Sequence, residues 1–216
     1  MSDADRLPAE SLSPLAARVD EALALYGYEM RPTIDAIDDA VPGIGGLFDP
    51  QTDDGELRQA LDTVLAGESP SLSSASGSDP SPVVLYVDGS SRGNPGPAGA
   101  GAVIQTPEDT TRLGRPVGSH ADNNTAEYAA LHLGLDAVAT RYDPAEIEVR
   151  IDSMTVIESV WGDRDGGDSV AKYTGPIADL RSVLPAQKWT HLADSDPNPA
   201  DARATVGADI AELGPG

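Results

Sequence analysis

The sequence predicts an α/β fold in which helices flank a mixed five-stranded sheet, with a small helical segment at the N-terminus. An apolar, β-branched run at 83–87 is separated by a glycine-rich turn from a second strand pattern at 98–105. Strand and helix patterns then alternate. A stretch rich in serine, proline and glycine precedes them and is typical of a linker. These observations divide the chain into a helical region 1–67, a linker 68–82 and an α/β domain 83–216.

Three helix patterns occupy the N-terminal region. Ser13 and Pro14 are typical of a helix start, and Gly27 is typical of a helix end. A second short helix is expected after Pro32 and a third over 54–66. The segment 1–82 carries 16 acidic and 4 basic residues and has no basic patch, so nothing in it indicates contact with nucleic acid. The partner of residues 1–67 stays unknown at this stage.

The α/β domain begins with the apolar run at 83–87. Apolar residues at Ile147, Val149 and Ile151 alternate with charged ones, as in a strand that buries one face. Leu131, Leu135 and Val138 form the apolar stripe of the longest helix pattern. The predicted strands cover 83–88, 98–105, 111–117, 147–152 and 188–193, and the predicted helices cover 124–141, 153–161, 174–184 and 198–213.

The composition is strongly acidic, with 36 acidic residues, 14 basic residues and a net charge of −22. Such a surface repels itself in dilute salt and is soluble in concentrated salt, so we interpret it as an adaptation to a saline cytoplasm. Disorder is the alternative, but a hydrophobic content of 39% with periodic segments argues against it. The absence of cysteine excludes disulfides and zinc thiolate sites. No apolar run is long enough for a signal peptide core or a membrane span, so we expect a cytoplasmic protein without a membrane partner. We also expect a monomer.

Four acidic residues lie where an acid is unusual or costly. Asp88 and Asp152 end strands, and Glu127 lies on the apolar stripe of its helix, one turn before Leu131. Asp201 is the third residue after Asn198 in a helix start. Each has an ordinary alternative: Asp88 and Asp152 as caps of turns or helices, Glu127 as a first-turn acid, and Asp201 as part of a capping box.

The topology allows these four acids to meet. Ligand sites of α/β sheets collect at the carboxyl ends of the strands. Four converging carboxylates cannot all stay ionised without cations, and oxygen ligands suit Mg²⁺ or Mn²⁺. Two such ions about 4 Å apart are the common device for hydrolysing a phosphodiester. The residues therefore indicate a candidate two-metal site.

Four motifs in this order resemble ribonuclease H, type 1, of the archaeal kind: YVDGSSRGNPGPAGAG at 86–101, NNTAEY at 123–128, VRIDS at 149–153 and NPAD at 198–201. The first two are highly specific in combination, and the last two are weak alone. The resemblance implies the ribonuclease H-like fold and an endonuclease that cuts the RNA strand of an RNA–DNA hybrid, leaving a 3′-hydroxyl and a 5′-phosphate. It implies that two Mg²⁺ or Mn²⁺ ions are held by Asp88, Glu127, Asp152 and Asp201.

The resemblance also implies contacts to the hybrid by neutral residues, which suit the minor groove and the RNA 2′-hydroxyls. Taken alone, the asparagines among them would be ordinary turn formers, and the glycine turn an ordinary hairpin connection. The implied nucleic-acid-binding residues are Gly89, Ser90, Asn94, Asn123 and Asn124.

Two departures from the family pattern concern substrate binding. Asp122 stands where the family often has a threonine that holds a DNA phosphate, and Met154 stands where many relatives have glutamine. They keep two alternatives open: a hybrid-binding module with weak cleavage, and a nuclease for RNA–RNA duplexes or RNA–DNA junctions. Residues 83–216 carry 20 acidic and 10 basic residues, so long-range attraction for a polyanion is weak.

Overall fold

The computed structural model describes residues 7–68, 70, 80–162, 167–193 and 195–214. Its centre is a five-stranded sheet of order β3-β2-β1-β4-β5. β1 pairs antiparallel with β2, and β2 with β3, whereas β4 is parallel to both β1 and β5. The predicted fold class, a mixed five-stranded sheet flanked by helices, is confirmed. The strands are β1 (Ser81–Ser91), β2 (Gly96–Gln105), β3 (Thr110–Ala121), β4 (Pro144–Ile151) and β5 (Gln187–His191).

The first three strands are longer than the sequence predicts. β1 keeps its pairing with β2 as far as Ser91, opposite Ala98, because backbone hydrogen bonds in a hairpin do not require apolar side chains. β3 likewise continues to Ala121, beyond the predicted end at 117. β4 ends at Ile151, so Asp152 is the first residue after the strand rather than its last.

The helices of this domain are α4 (Asn123–Arg141), α5 (Met154–Val160), α6 (Ala171–Val183) and α7 (Asp201–Ala211). The prediction that α7 starts at Asn198 is wrong, because Ala200 is the N-cap and Asp201 is the first helical residue. The alternative interpretation of Asp201, as part of a capping box with Asn198 as N-cap, is also wrong. The side-chain amide of Asn198 instead donates a hydrogen bond to the Val87 carbonyl oxygen at 3.0 Å.

α4 and α7 cover opposite faces of the sheet. On β1, a Cβ at Gly89 would lie 2.8 Å from the Cα of Glu127 on α4. On β2, a Cβ at Gly101, which pairs with Asp88, would lie 2.6 Å from the backbone nitrogen of Ala204 on α7. Adjacent positions of a strand point to opposite faces, so these glycines bring one helix close to each side. The close approach places the first turns of both helices beside the end of β1.

The N-terminal region contains α1 (Pro14–Leu25), α2 (Met30–Ala40) and α3 (Asp54–Ala66). The predicted start of α1 is confirmed, since Ser13 caps it through a bond from the Ala16 backbone at 3.0 Å. α2 starts two residues before Pro32, earlier than predicted. These helices share one continuous apolar core with the sheet. The boundaries 1–67, 68–82 and 83–216 stay predictions; residues 69 and 71–79 of the linker lie outside the described residues, and β1 includes 81–82.

Backbone hydrogen bonds attach the N-terminal region to the outer edge of β3. The Glu10 nitrogen donates to the Val117 carbonyl at 2.7 Å, and the Ser119 nitrogen donates to the Ser11 carbonyl at 2.9 Å. The Gly114 nitrogen donates to the Tyr28 carbonyl at 3.0 Å. β3 is an edge strand of the sheet, so this segment satisfies groups that would otherwise face solvent. Within the described parts of the chain, no helix is both long enough and apolar enough to cross a membrane.

Candidate active site

Three carboxylates meet at the carboxyl ends of β1 and β4. Asp88 lies on β1, Asp152 follows β4, and Glu127 is in the first turns of α4. One oxygen atom from each lies within 4.8 Å of the others. The structure therefore brings together three of the four acids that the sequence identifies as metal ligands. The grouping arises because β1 and β4 are parallel neighbours whose chain ends lie side by side.

Asp88 is 6% exposed and is held by one side-chain contact from the segment that precedes α7. Asn198 Nδ2 donates to Asp88 Oδ1 at 3.2 Å and to the Val87 carbonyl at 3.0 Å. Burial, followed by the negative charges of Asp152 and Asp201, raises the pKa of Asp88 to about 7, and the bond from Asn198 acts in the opposite direction. The protein thus keeps a carboxylate where its charged form is unfavourable without a cation.

Glu127 is 4% exposed, and its carboxylate is only partly satisfied. Asn123 Nδ2 lies 3.4 Å from Oε1, and the backbone of Gly89 also donates a hydrogen bond. Within the described part of the chain, Oε2 has no hydrogen-bond partner although it is buried. Burial, then the charges of Asp152 and Asp88, raises the pKa of Glu127 well above its ordinary value.

Asp152 and Asp201 are both exposed and line a cleft beside Asp88. Asp201 lies outside the group of three, but it is close enough for its charge to raise the pKa of Asp88. The rest of the cleft wall comes from one segment and consists of Leu192, Ala193, Asp196, Pro197 and Asn198. The cleft is therefore bordered by the exposed carboxylates of Asp152 and Asp201 and by the buried carboxylate of Asp88.

These residues fit divalent cations. The orphaned oxygen of Glu127 and the two raised pKa values mark a site whose carboxylates lack positive charge. The cleft is lined by the carboxylates of Asp88, Asp152, Asp196 and Asp201, and such hard oxygen ligands suit Mg²⁺ or Mn²⁺. A buried group of acids of this kind costs free energy when it is empty and ionised, so it favours a cation.

The residues expected to contact nucleic acid lie on the segments that carry Asp88 and Glu127. The backbone nitrogen of Asn123 donates to Asn94 Oδ1 at 3.2 Å, which joins the β1–β2 turn to the start of α4. Asn123 is exposed, whereas Ser90 and Asn124 are half-buried. Gly89 packs against the backbone of α4. Their contacts to a ligand stay a prediction, although the location of all five beside Asp88 and Glu127 is compatible with it.

Asp122 and Met154, the two departures from the family pattern, also lie near this edge. Asp122 is the N-cap of α4, and its Oδ1 accepts a hydrogen bond from the Thr125 backbone at 2.7 Å. This local role gives a structural reason for an acid at that position. Met154 starts α5 and is 45% exposed.

The sequence interpretation missed Asn198 as a residue of the site. Asn-Pro-Ala-Asp has the spacing of a capping box, so the sequence pattern indicates only a capping role for Asn198. Its Oδ1 does accept from the Ala200 backbone at 3.1 Å, but its Nδ2 bonds to β1. Asp196 was also missed; only the tertiary fold brings its loop to the cleft.

Comparison with known proteins identifies related sequences. The model of the RNase H family matches residues 80–183, a range that includes Asp88, Glu127 and Asp152. A "bifunctional protein" of Mycobacterium tuberculosis is 45% identical over 82 residues, which is 37% of this chain and 22% of that protein. Ribonuclease HI of Halobacterium salinarum is 34% identical over 132 residues, 60% of this chain and 65% of the relative. The chain thus spans less than two thirds of the length of these relatives. Ribonuclease H of Brucella anthropi is 30% identical over 116 residues, 50% of this chain and 71% of that protein.

Two solved structures resemble the α/β part. The crystal structure of RNase H1 from Halobacterium salinarum has a TM-score of 0.52 and 33% identity, and the match covers 59% of this chain and 98% of that one. The crystal structure of LC11-RNase H1 in complex with an RNA/DNA hybrid has a TM-score of 0.53 and 27% identity, covering 59% and 96%. With the acidic cluster at the expected sheet edge and these matches, the chain belongs to the ribonuclease H family.

Proposed function

We propose that this protein is an endonuclease that hydrolyses the RNA strand of RNA–DNA hybrids. One observation carries the proposal: oxygen atoms of Asp88, Glu127 and Asp152 lie within 4.8 Å of one another at the carboxyl edge of the sheet. Membership of the ribonuclease H family supports the reaction, and the relative solved with an RNA/DNA hybrid supports the substrate.

The metal ligands would be Asp88, Glu127, Asp152 and Asp201, and the expected cofactors are two Mg²⁺ or Mn²⁺ ions. Such ions lower the pKa of the attacking water and neutralise the charge that develops on the leaving oxygen. Cleavage at the bond to the 3′-oxygen would leave a 3′-hydroxyl and a 5′-phosphate. Asp201 lies outside the tight group of three, so its part in the site is supported only by its charge coupling to Asp88 and its place in the cleft.

The protein's own residues would orient this site before substrate arrives. Asn198 holds the carboxylate of Asp88 from one side, and the close packing at Gly89 fixes Glu127 from the other. The bond between Asn94 and Asn123 joins the two segments expected to contact the hybrid. Preorganisation of this kind positions charge before reaction and lowers the reorganisation that reaction requires.

Substrate binding would rely on short-range contacts. Gly89, Ser90, Asn94, Asn123 and Asn124 offer neutral groups beside the carboxylates, and residues 83–216 have twice as many acidic as basic residues. At about 1 M salt the Debye length is about 3 Å, so repulsion between this surface and a polyanion is screened. We therefore propose that the protein works in a saline cytoplasm, folded and active at molar salt.

Cleavage of an end-labelled RNA–DNA hybrid in molar salt, with Mg²⁺ or Mn²⁺, tests the proposal. Wild type should cut only the RNA strand, and Asp88→Asn should lose the activity while circular dichroism shows the same fold. Parallel reactions with RNA–RNA duplexes and RNA–DNA junctions separate the alternative substrates. Binding of the hybrid without cleavage by folded wild type would instead indicate a binding module.

A further inference from the structure

A polar pocket separate from the acidic cleft lies between the N-terminal region and the sheet. Its walls come from the start of α2, the first residues of β3 and the first turn of α7. Each of these elements contributes one arginine: Arg31, Arg112 and Arg203. Three of the chain's twelve arginines therefore line one pocket of a protein whose net charge is −22.

The arginines of this pocket differ from the other described arginines in that two of them have no carboxylate partner. Ten arginines lie in the described parts of the chain, and seven of them have a carboxylate within 4 Å. Arg112 and Arg203 have no such partner among the described residues, and both line the pocket. The remaining one, Arg181, packs against Trp161 and Trp189. Because acidic residues outnumber basic ones 36 to 14, a shortage of acids does not explain two unpaired arginines in one place.

Local contacts hold the polar groups of the pocket in place. Arg112 Nη1 donates to the Thr110 carbonyl at 3.2 Å, which leaves its other N–H groups available. Arg203 is half-buried, and its Cβ lies 2.9 Å from the position that a Cβ would take at Gly101. Thr111 also borders the pocket, but its hydroxyl lies on the other face of β3, where it accepts a hydrogen bond from the Tyr142 hydroxyl at 2.7 Å.

The acids near the pocket do not cancel this positive charge. Glu29 is on the wall but pairs with Arg141 at 3.1 Å, and Arg31 pairs with Asp35 at 3.7 Å. Asp109 is the other carboxylate of the wall. The three arginines of the wall and Arg141 together outnumber the three carboxylates Glu29, Asp35 and Asp109. Among the described residues, Arg112 and Arg203 are the arginines of this group without a carboxylate partner.

We propose that this pocket binds a phosphate-type oxyanion, held by Arg112 and Arg203 with Arg31 at its side. The planar guanidinium group presents parallel N–H donors that match two oxygens of a phosphate. The ligand would contact both the N-terminal region, through Arg31, and the ribonuclease H part, through Arg112 and Arg203. This assigns a ligand to the junction between the two parts, independently of the proposed hybrid cleavage.

The phosphate could belong to a free oxyanion or to a nucleic-acid backbone, and the fold allows both. Arg112 pairs with Val103, which is two residues along β2 from Gly101, the partner of Asp88. Two strand spacings and a two-residue offset separate the Cα atoms of Arg112 and Asp88 by about 12 Å. The first turn of α7 covers Gly101 between them, so a nucleic acid that reaches both sites would pass around this helix.

Calorimetric titration of the full chain with inorganic phosphate tests the pocket itself. The titration is run at constant ionic strength with excess chelator, so that phosphate cannot bind through a metal in the acidic cleft. We expect one saturable site, weakened about tenfold or more in the double variant Arg112→Gln/Arg203→Gln. Arg58→Gln, which removes an exposed arginine of α3 paired with Asp54, is the matched control and should change the affinity less than about twofold.

A second titration identifies the source of the phosphate. An RNA–DNA hybrid is titrated into Asp88→Asn protein with and without the two arginine substitutions. Weaker hybrid binding in the arginine double variant assigns the pocket to a backbone phosphate, and unchanged hybrid binding with weakened phosphate binding assigns it to a free oxyanion. Two results together would overturn the proposal. The first is that folded wild type binds no phosphate, or binds it no more tightly than the double variant does. The second is that the two arginine substitutions leave the affinity for the hybrid unchanged. If the protein does not cleave hybrids, the phosphate titration still tests the pocket, because it does not depend on nuclease activity.

Discussion

Arg115 and Asp20 form an ion pair in the interior: Arg115 Nη2 lies 3.2 Å from Asp20 Oδ2, and each side chain is 1% exposed. Arg115 is on β3 and Asp20 is on α1, so the pair joins the sheet to the N-terminal region. The ring of Tyr28, from the segment between α1 and α2, lies 5.1 Å from the guanidinium carbon. Because a buried charge without its partner costs several kcal/mol, each part of the chain needs the other.

Replacing Asp20 should destabilise the protein severely. In Asp20→Ala the guanidinium of Arg115 stays buried without its counter-charge, so we expect a loss of about 3–5 kcal/mol in the free energy of unfolding. Urea unfolding in molar salt measures the change. Asp62→Ala is the matched control, because it removes the partner of Arg18 in an exposed pair and should cost less than about 1 kcal/mol. Equal losses in the two variants would contradict the importance of the buried pair.

Removal of residues 1–79 should impair folding of the remaining chain. The Gly114 and Ser119 nitrogens and the Val117 carbonyl would lose their partners, and β3 would become an open edge. Arg115 would lose Asp20 at the same time. We expect aggregation, or a melting transition that is lower and broader than in the full chain, measured by circular dichroism and light scattering. A truncated protein that stays monomeric and melts like the full chain would show that the N-terminal region is dispensable for the fold.

The sequence predicts the sheet and most of the acidic site because both follow local patterns. Alternating apolar residues locate β4, and the position of Glu127 on the apolar stripe of α4 indicates its burial. The contact between Asn198 and β1 has no such pattern, since the same spacing fits a helix cap. The pairing of Arg115 with Asp20 joins residues 95 positions apart, and a local pattern carries no information on it.

Asn198 should act as a positioning residue for Asp88. In Asn198→Ala the carboxylate loses its side-chain hydrogen bond, so the geometry expected of a metal ligand loosens. We expect kcat on an RNA–DNA hybrid to fall about 10- to 100-fold and the Mn²⁺ concentration for half-maximal activity to rise, with KM for the hybrid little changed. Gln59→Ala, at an exposed amide on α3, serves as the control. A rise in KM alone would assign Asn198 to substrate binding instead.

Asp88→Asn should stabilise the protein when no divalent metal is present. Burial and neighbouring acids raise the pKa of Asp88 from 3.8 to about 7, so the folded state holds its proton more tightly than the unfolded state. The protonated carboxyl of Asp88 contributes its full share to the free energy of unfolding below about pH 4. This contribution, up to about 4 kcal/mol, is lost as the pH rises through 7. Urea unfolding with chelator should therefore favour the variant at pH 8, and less so at pH 5. A variant that is less stable than wild type at pH 8 would contradict the raised pKa of Asp88.

His132 should make the protein sensitive to acid. The ring is 6% exposed on α4, packs edge-on against Tyr173 at a centroid distance of 6.1 Å, and has no hydrogen-bond partner for Nδ1 within the described residues. Burial, then the charge of Arg115, lowers the pKa of His132 to about 4 from 6.5. Because the unfolded state takes up a proton below pH 6.5 while the folded state does not, stability falls by about 3 kcal/mol as the pH drops from 6.5 to 4.

The acid sensitivity of His132 is measured as a difference between variants, because many carboxylates titrate in the same range. His132→Leu removes the titrating ring, so its stability relative to wild type should improve by about 2–3 kcal/mol between pH 7.5 and pH 4.5 in urea unfolding. His120→Gln, at an exposed histidine of β3, should show no such change. If the difference between His132→Leu and wild type is the same at both pH values, the histidine is not held neutral in the folded protein. A loss of stability of the variant relative to wild type on acidification would also contradict the prediction, because a depressed pKa requires the wild type to lose stability faster than the variant.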